Sequence, residues 1–491
     1  MIDDKTKALY SAFKAKDARF DGRFFVGISS TGIYCRPVCK AKQPKIENCN
    51  FYRTAAEAEQ AGYRPCLLCR PELAPGMASV DATASLAHRA ARLLEETCGN
   101  DQSLDELAKR LGYTGRHLRR AFTAEYNVSP IQYTQTCRLL LAKNLLTDTD
   151  LSVLDVAMTA GFGSLRRFND LFKKQYRLSP TSLRKQAAGT KNHGDGVTVS
   201  LGYRPPYQWK KILDFLAERT IPGIEVIIND EYLRTVNFVY EDKKGEKRNL
   251  RGWIRVGKHP DKDALTVTVA QELLPVLPQI LARIKHLFDL YCDPEEISEV
   301  LSCMNDIRAG LYVPGTRLPG CFDPYEMTVR AVLGQQITVK AARTLAARMV
   351  DTYGKLIETG IDGLTHTFPA PDDITTLEEP LANHLGPLGI TSARANTIFE
   401  LSKAFVQKDI DFGISAHPEN EIKTLLAIPG VGKWTAGYIA MRTMGWTDAF
   451  LETDVGIKKA LDKYTEKEML ILAEEWRPWR SYATINLWSS L

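Results

Sequence analysis

Four cysteines form two closely spaced pairs near the start of the chain, in a pattern that zinc sites use. Cys35 and Cys39 stand in GIYCRPVCKAK, and Cys66 and Cys69 follow in AGYRPCLLCRPE. A C-x3-C pair followed by a C-x2-C pair predicts one metal ion held by four thiolates. Four unrelated buried thiols are the alternative, and two close pairs within one short segment disfavour it. The remaining cysteines stand alone and are expected to be ordinary buried thiols: Cys49, Cys98, Cys137, Cys292, Cys303 and Cys321.

A second candidate site lies far along the chain, in LLAIPGVGKWTAGYIAMRTMGWTDAFLETDVGIKKAL. The P-G-V-G turn, with Gly430 and Gly432, lies between two predicted helices. Its backbone amides at a helix N-terminus are suited to bind a DNA phosphate without reading sequence. Lys433 follows directly, and the acid Asp454 comes some way further on. A glycine turn alone is weak evidence, but a turn followed by such an acid indicates chemistry on DNA.

Between these two regions, an internal repeat predicts two helix-turn-helix units. LAKRLGYTGRHLRRAFTAEYNVSP is echoed by VAMTAGFGSLRRFNDLFKKQYRLSP. Each copy has a glycine and an aromatic residue at a turn, followed by an arginine-rich helix that is suited to a DNA groove. We expect Phe122, Phe168 and Phe172 to pack inside. The candidate DNA-facing residues are Arg116, His117, Arg119 and Arg120 in the first unit and Ser164, Arg166, Arg167 and Asn169 in the second. A helical bundle with solvated arginines is the alternative.

Charge and composition agree with a nucleic-acid partner for the first part of the chain. The net charge of the 491 residues is +5, yet residues 1–190 hold 29 Lys and Arg against 19 Asp and Glu, and the rest hold 35 against 40. Clustered positive charge is mainly used to neutralise phosphate. The N-terminal stretch lacks a signal-peptide core, and no run approaches the ~18 apolar residues of a membrane span. We therefore expect a cytoplasmic, nucleoid-associated bacterial protein with no membrane partner.

The first region resembles the N-terminal domain of Ada-type alkylation-response proteins. FDGRFFVGISSTGIYCRPVC and NFYRTAAEAEQAGYRPCLLCRPE carry this likeness. It implies one zinc ion on the four cysteines and irreversible transfer of a methyl group from a DNA methylphosphotriester to Cys35. Zinc keeps sulfur as the nucleophilic thiolate at neutral pH. Because methylation removes one negative charge, it would also strengthen DNA binding and act as a switch.

The other regions resemble two further families. The repeated unit is similar to the AraC-type DNA-binding domain. RPPYQWKKILDFL, LPGCFDPYEMTVRAVLGQQIT and WRPWRSYATINLW resemble AlkA-type 3-methyladenine DNA glycosylases of the helix-hairpin-helix superfamily. This likeness implies that Asp454 is catalytic. It also implies that a pocket for the base is lined by Trp434, Tyr438, Trp488, Phe215 and Gln335.

One position departs from the glycosylase pattern, and one excludes an alternative reaction. Gln336 stands where the family prototype has an apolar wedge that fills the gap left by the flipped nucleotide. A polar side chain there is able to hydrogen-bond the orphaned base. Trp434 stands where related enzymes with lyase activity carry their Schiff-base lysine. Lys433, one residue earlier, is expected to face DNA phosphate beside Gly430 and Gly432, whereas Gln336 is expected to contact DNA at the orphaned base. Water should therefore be the nucleophile.

Together these features predict an α+β multidomain protein. The expected parts are a small zinc domain (1–78), an all-α double helix-turn-helix domain (84–186), a linker (187–196), a small antiparallel α+β subdomain (197–300) and a helical helix-hairpin-helix glycosylase domain (301–491). The predicted function is DNA alkylation repair, with excision of 3-methyladenine and 7-methylguanine, methyl transfer to Cys35 and transcriptional regulation. The alternative is a methylation-sensing activator with a weak or decayed glycosylase. The predicted partners of this monomer are double-stranded DNA carrying alkylated bases and methylphosphotriesters, promoter DNA and RNA polymerase.

Overall fold

A computed structural model describes residues 4–75, 86–98, 103–186, 196–241, 246–378, 380–413, 416 and 418–491. Residues 187–195 of the predicted linker lie outside this range. The chain forms two compact units: one from Met1–Pro205, Lys258–Ala282 and Leu290–Cys292, the other from Pro206–Gly257, Arg283–Asp289 and Asp293–Leu491. Among the described residues, no helix is both long and apolar enough to span a membrane. The predicted α+β class is confirmed.

The helices before residue 205 are α1 (Asp4–Ala15), α2 (Ala55–Gln60), α3 (Leu86–Glu96), α4 (Leu104–Arg110), α5 (Gly115–Tyr126), α6 (Pro130–Asp148), α7 (Val153–Thr159), α8 (Leu165–Tyr176) and α9 (Pro180–Gln186). The helices after it are α10 (Trp209–Ala217), α11 (Leu277–Leu287), α12 (Pro294–Leu301), α13 (Met304–Ile307), α14 (Pro324–Leu333), α15 (Val339–Tyr353), α16 (Pro371–Thr375), α17 (Ala382–Leu385), α18 (Ser392–Gln407), α19 (Pro418–Ala427), α20 (Lys433–Thr443), α21 (Val455–Ala460), α22 (Glu466–Glu474) and α23 (Arg480–Trp488). The strands are β1 (Phe25–Ile28), β2 (Ile33–Cys35), β3 (Cys49–Tyr52), β4 (Arg64–Pro65), β5 (Gly196–Gly202), β6 (Glu225–Ile228), β7 (Glu231–Glu241), β8 (Lys247–Lys258), β9 (Ala264–Ala270), β10 (Lys355–Leu356) and β11 (His366–Thr367).

The first unit begins with a small sheet in the order β3-β1-β2-β4. β1 pairs antiparallel with β2 and β3, whereas β2 and β4 run parallel, with Tyr34 opposite Pro65. Parallel neighbours end on the same side of a sheet. The pairing therefore brings Cys35, at the end of β2, beside Cys66, which directly follows β4.

Two helix-turn-helix units follow in the same part of the chain, α4 with α5 and α7 with α8. Serine or threonine begins each of these helices by accepting a hydrogen bond from the first turn; Ser164, for example, accepts from the Arg167 amide at 3.2 Å. Such caps satisfy amides that the helix itself leaves unpaired. Phe122, Phe168 and Phe172 are fully buried. The predicted packing role of these phenylalanines is confirmed.

Buried polar groups join the segment that directly follows Cys69 to helix α6. The Lys143 ammonium lies 2.6 Å from the Glu72 carboxylate, and their side chains are 1% and 3% exposed. Arg70 pairs with Asp148 at 2.8 Å and donates to the Asn144 amide oxygen at 2.8 Å. We call this set the Arg70–Lys143 clamp. A buried ion pair holds its position strongly because removal of either partner leaves an uncompensated charge.

A second polar junction is centred on Glu59, which is buried on α2. Its carboxyl group accepts hydrogen bonds from Tyr34 at 3.1 Å, from Thr136 of α6 at 3.0 Å and from Tyr176 of α8 at 3.5 Å. Burial raises the pKa of Glu59 to about 8, although these hydrogen bonds and the charge of Lys143 oppose the shift. Glu59 thereby links strand β2, which carries Cys35, to α8, the arginine-rich helix of the second helix-turn-helix unit.

The strands after residue 195 form antiparallel pairs, as the alternating sequence pattern predicts. In the first unit, β5 pairs with β9, from Gly196 opposite Ala270 to Gly202 opposite Ala264. In the second unit, β7 pairs with β6 and with β8. The short strand β6 is the part that the alternation did not predict. The rest of the second unit is mainly helical and has an apolar core to which α14, α15, α18 and α20 contribute.

Candidate functional site

The four paired cysteines converge on one point of the first unit. Their sulfur atoms lie within 4.8 Å of one another. The Cys66 amide donates to the Tyr34 carbonyl at 3.0 Å, which holds the two chain segments together, and the Cys39 amide donates to the Arg36 carbonyl at 3.1 Å, which forms the first turn. The predicted cluster is confirmed. Of the six other cysteines, Cys137 and Cys303 are only partly buried, whereas Cys49, Cys98, Cys292 and Cys321 are buried as predicted.

Electrostatics favours a cation among these sulfurs. Hydrogen bonds from Cys39 and the other two sulfurs raise the pKa of the Cys35 thiol, whereas contacts with Cys35 and its neighbours lower the pKa of Cys66. Four sulfurs at this distance cannot all be thiolates unless a positive charge balances them. A buried set of four soft sulfur ligands suits zinc. The first unit therefore has a four-cysteine zinc site.

Arg36, in the turn between Cys35 and Cys39, joins this turn to the second cysteine pair. Its buried guanidinium pairs with Asp21 and donates to the Cys69 carbonyl at 3.1 Å. Its backbone amide donates to the Cys69 sulfur at 3.3 Å. Such an amide lowers the electron density of the sulfur that accepts it. The arginine thus contributes positive charge beside the sulfur cluster.

The predicted DNA-facing residues of the recognition helices lie on their exposed sides. Six of these side chains are solvent-exposed: Arg116, His117, Arg119 and Arg120 on α5, and Arg166 and Arg167 on α8. His117 stacks on Tyr113 with ring centroids 5.2 Å apart. Ser164 has a structural use that the sequence did not reveal, since it caps α8. The arginines therefore remain available for phosphate and base contacts.

In the second unit, Asp454 lies at the beginning of α21 and accepts three hydrogen bonds. The indole N–H of Trp434 donates to Oδ2 at 3.0 Å, and the indole N–H of Trp488 donates to Oδ1 at 2.8 Å. The Ile457 amide donates to Oδ1 at 3.0 Å, which makes Asp454 the N-cap of the helix. Hydrogen bonds of this kind fix a carboxylate in one orientation.

Aromatic rings extend from this carboxylate. Trp434 and Tyr438, one turn apart on α20, are stacked with centroids 5.1 Å apart. Tyr438 meets Trp488 edge-on at 6.2 Å, and Phe215 of α10 lies nearly parallel to Trp488 at 6.4 Å. Residues from three distant parts of the sequence thus form one aromatic cluster beside Asp454. The structure brings together the predicted acid and the predicted pocket rings.

The glycine turn between α19 and α20, which contains Gly430 and Gly432 and is called the hairpin here, contacts helix α18 and the residues that directly follow α14. Gly430 has a φ of +87°, and a Cβ there would lie 2.0 Å from the Thr397 hydroxyl, so this position requires glycine. Gly432 has open space around it. Gln335 donates to the Gly430 carbonyl at 2.9 Å and to the Thr435 hydroxyl at 3.1 Å. These two hydrogen bonds of Gln335 support the hairpin, and its place in the lining of the pocket stays a prediction.

Gln336 is exposed and its backbone lies in the left-handed region, with a φ of 54°. Residues other than glycine adopt this conformation only when their surroundings impose it. Here Arg394 donates to the Gln335 carbonyl, and the Gln335 side chain is bound to the hairpin. Lys433 is exposed at the first position of α20. Both side chains are accessible to solvent, and their contact with DNA stays a prediction.

Two residues of this site, Gly456 and Arg442, could not be assigned to it from the sequence alone. A Cβ at Gly456 would lie 2.9 Å from Trp488 Cδ1 and 3.0 Å from Asp454 Oδ1, so only glycine leaves room for the tryptophan at the acid. Arg442 is buried, and it donates to the Tyr438 hydroxyl at 2.7 Å. Its spacing of four from Tyr438, which lies four after Trp434, was a signal in the sequence: all three share one face of a helix.

Four family models match successive parts of the chain. They describe the metal binding domain of Ada (residues 8–72), a helix-turn-helix domain (107–186), the AlkA N-terminal domain (198–323) and an HhH-GPD superfamily base excision DNA repair protein (329–469). They agree with the resemblances that the sequence suggested.

Three relatives span different parts of the chain. A probable bifunctional transcriptional activator/DNA repair enzyme AlkA from Mycobacterium tuberculosis is 35% identical, over 100% of this chain and 97% of its own length. The DNA-3-methyladenine glycosylase 2 of Escherichia coli is 34% identical over 59% of this chain and 96% of its own. The bifunctional transcriptional activator/DNA repair enzyme Ada of Escherichia coli is 32% identical over 38% of this chain and 49% of its own.

Proposed function

Because the chain belongs to the family of the bifunctional transcriptional activator/DNA repair enzyme AlkA, we propose that its Asp454 pocket excises alkylated bases from DNA by hydrolysis. The observation that carries the proposal is the pair of indole donors on one carboxylate, at 3.0 and 2.8 Å. These contacts hold the carboxylate in place beside two aromatic rings. The 3-methyladenine and 7-methylguanine bases are the expected substrates.

The chemistry follows from the charge of such bases. An N-alkylated purine is cationic, so its glycosidic bond is weak and the base leaves as a neutral molecule. Indole faces attract a cationic ring that has been flipped out of the duplex. As the C1′–N bond breaks, its electron pair goes to the base, and the Asp454 carboxylate stabilises the cationic sugar or orients the water that adds to C1′. The water releases its proton, and an abasic site remains.

We propose that the zinc site is the acceptor for a methyl group from DNA methylphosphotriesters. Zinc, held by Cys35, Cys39, Cys66 and Cys69, supplies the conditions under which sulfur is thiolate at neutral pH. The sulfur of Cys35 attacks the methyl carbon, an S–C bond forms, and the O–C bond breaks. The phosphate oxygen keeps the electron pair and becomes an ordinary phosphodiester anion. Each protein molecule accepts one methyl group.

The helix-turn-helix region is proposed to bind promoter DNA through the exposed residues of α5 and α8 and to regulate transcription with RNA polymerase. Loss of one negative charge at the methylated cysteine reduces repulsion from DNA phosphate. Methylated protein should therefore bind promoter DNA more tightly than unmodified protein. The intact contacts of Asp454 speak against the alternative of a decayed glycosylase.

The deciding experiment is release of 3-methyladenine from alkylated DNA by wild type and by Asp454→Asn. The substitution preserves shape and removes the charge, so excision should fall about a hundredfold or more while DNA binding is retained. Asp462→Asn, at an exposed position of the same unit, is the matched control. Full excision by Asp454→Asn would disprove the role of the carboxylate.

A further inference from the structure

The first compact unit extends past the end of the helix-turn-helix region. We use the name regulatory half for residues 1–186 and the name glycosylase half for residues 196–491. Strands β5 and β9 of the glycosylase half lie in the first unit, together with the four-cysteine site and both helix-turn-helix units. Residues of the two halves therefore pack against each other inside this unit.

Gly202, at the end of β5, lies directly against the backbone that follows the zinc site. A Cβ at this position would lie 1.9 Å from the Leu73 carbonyl oxygen. Two atoms cannot approach so closely, so only glycine fits here. Leu73 directly follows Glu72 of the Arg70–Lys143 clamp. The need for glycine within this strand is therefore explained by a close approach between the two halves.

Asn144 joins the clamp to the same strand. This residue of α6 is buried, and its amide oxygen accepts a hydrogen bond from Arg70 at 2.8 Å. Its amide nitrogen lies 3.5 Å from the Ser200 carbonyl of β5, at the outer limit of a hydrogen bond. β5 is the edge strand of its sheet. Edge strands need to be covered because their free backbone groups otherwise pair with other chains, and the regulatory half helps to cover this one.

A third contact joins helix α3 to the segment 290–292. The guanidinium carbon of Arg92 lies 4.1 Å from the centroid of the Tyr291 ring. Tyr291 is buried, and its carbonyl accepts a hydrogen bond from Arg204 at 3.3 Å. A cation over a ring that is removed from water makes a strong cation–π contact. Contacts of three different kinds thus connect the two halves, all of them within the first unit.

The two halves also differ in net charge. Residues 1–190 hold 29 Lys and Arg against 19 Asp and Glu, whereas the rest of the chain holds 35 against 40. A net positive protein attracts DNA over a distance, and a net negative one does not. The Asp454 pocket therefore belongs to the half that gains least from this attraction. A basic partner bound to the glycosylase half would supply it.

We propose that the regulatory half is this partner, and that it stays bound to the glycosylase half without help from the covalent connection. Its docking surface consists of Leu73, Arg92 and Asn144, which contact β5 and Tyr291. DNA held by the basic half is then present at a high local concentration for the pocket. This inference rests on the proposed excision reaction and on the proposed DNA binding by α5 and α8.

The test uses the full chain with a protease recognition sequence placed within residues 187–195 and cut after purification. The two halves of the cut wild type should co-elute from a size-exclusion column at about 1 μM. Single-turnover excision of 7-methylguanine should be half-maximal at a protein concentration within about twofold of that of the uncut chain. Halves that elute separately from the cut wild type would overturn the inference.

Gly202→Ala should disrupt the docking surface, because the added Cβ collides with the Leu73 carbonyl. After the cut, its halves should dissociate about tenfold more readily or worse, and half-maximal excision should need about ten times more protein. Gly163→Ala, where nothing lies within 4 Å of the added carbon, is the matched control. Zinc content and maximal excision rate should equal those of wild type, which separates loss of docking from loss of folding.

Arg92→Ala tests the same surface without adding an atom. Loss of the cation from the Tyr291 ring should weaken association of the cut halves about three- to thirtyfold. Arg110→Ala removes the same charge at an exposed position of α4 and should leave association unchanged.

Two further outcomes would count against the inference. Wild-type association in both Gly202→Ala and Arg92→Ala would show that the docking surface does not bind the halves. Dissociation that leaves the half-maximal protein concentration unchanged would show that the regulatory half supplies no DNA affinity for excision. An uncut chain that releases no 7-methylguanine would refute the proposed function instead, whereas co-elution requires no activity and would still decide whether the halves are docked.

Discussion

The zinc site and the base pocket organise charge in opposite ways. The zinc site takes all four ligands from one short stretch, Cys35 to Cys69, and their four sulfur atoms lie within 4.8 Å of one another. The base pocket draws side chains from Phe215 to Trp488 and holds a negative Asp454 at one end and a positive Arg442 at the other. We expect the first site to be stable only with its ion. The second is balanced by the fold itself.

Removal of zinc should separate the two sites most clearly. Chelation should abolish methyl transfer from methylphosphotriester DNA and lower the unfolding temperature of the first unit, because four sulfurs then lose the charge that holds them together. Excision of alkylated bases should stay within about twofold of its starting rate, since the pocket needs no ion. Zinc added back should restore methyl transfer. A parallel loss of excision would contradict the contrast.

Gly456→Ala should break the pocket by geometry alone. The added Cβ would lie 2.9 Å from Trp488 and 3.0 Å from Asp454 Oδ1, so the indole must move off the carboxylate. A small displacement at a reacting group costs between about ten- and a hundredfold in rate. Gly386→Ala, where nothing lies within 4 Å of the added carbon, is the matched control. The rate of base excision is measured for both variants, and an unchanged zinc content shows that the first unit is intact. A wild-type excision rate for Gly456→Ala would mean that the Trp488 contact is dispensable.

Glu59 should make the stability of the first unit depend on pH. Its pKa is about 8 in the folded protein against an ordinary value of 4.5, so the folded state holds a proton that the unfolded chain releases between these values. Stability from this group is therefore full below pH 4.5 and falls as the pH rises toward 8, at about 1.4 kcal/mol per pH unit.

Glu59→Gln should remove that slope, which thermal unfolding between pH 5.5 and 8 would measure. Glu47→Gln, at an exposed position in the same region, should keep the wild-type slope. Identical slopes for Glu59→Gln and wild type would mean that the buried carboxyl is not protonated as its pKa requires. The base pocket should show no corresponding change in excision.

The smallest effect is expected at Lys433, which is exposed at the beginning of α20. Lys433→Ala should weaken DNA binding severalfold and lower the salt dependence by about one counterion. It should leave the product unchanged, an intact abasic site without strand cleavage, and borohydride should trap no covalent complex in either protein. A trapped adduct on Lys433 would show that an amine reaches C1′.

The difference between a site built from one short segment and a site built from distant segments also explains how much of each could be predicted from the sequence. Ligands within one short segment are recognisable from spacing, so the four-cysteine site could be predicted in full. Helical periodicity and the repeat likewise predicted both helix-turn-helix units and the buried phenylalanines, because those patterns are local.

The base pocket could be predicted only in part. Its rings were predicted by resemblance, but the direction of a side chain depends on packing between distant segments. The hydrogen bond of Gln335 to the hairpin was therefore not predicted, and the need for glycine at Gly456 became visible only once Trp488 lay against Asp454. The charge of Arg442 was equally hidden, since nothing local shows which residues lie around a buried guanidinium.

The Arg70–Lys143 clamp also limits how this chain can change over generations. A rearrangement that joined a different metal-binding module to this helix-turn-helix region would bury Lys143 without Glu72, and an unpaired buried charge costs several kcal/mol. Exchange of the helix-turn-helix region alone would likewise leave Arg70 without its partner Asp148. These two modules should therefore be inherited as one piece, and successful gene fusions should have their junctions outside it.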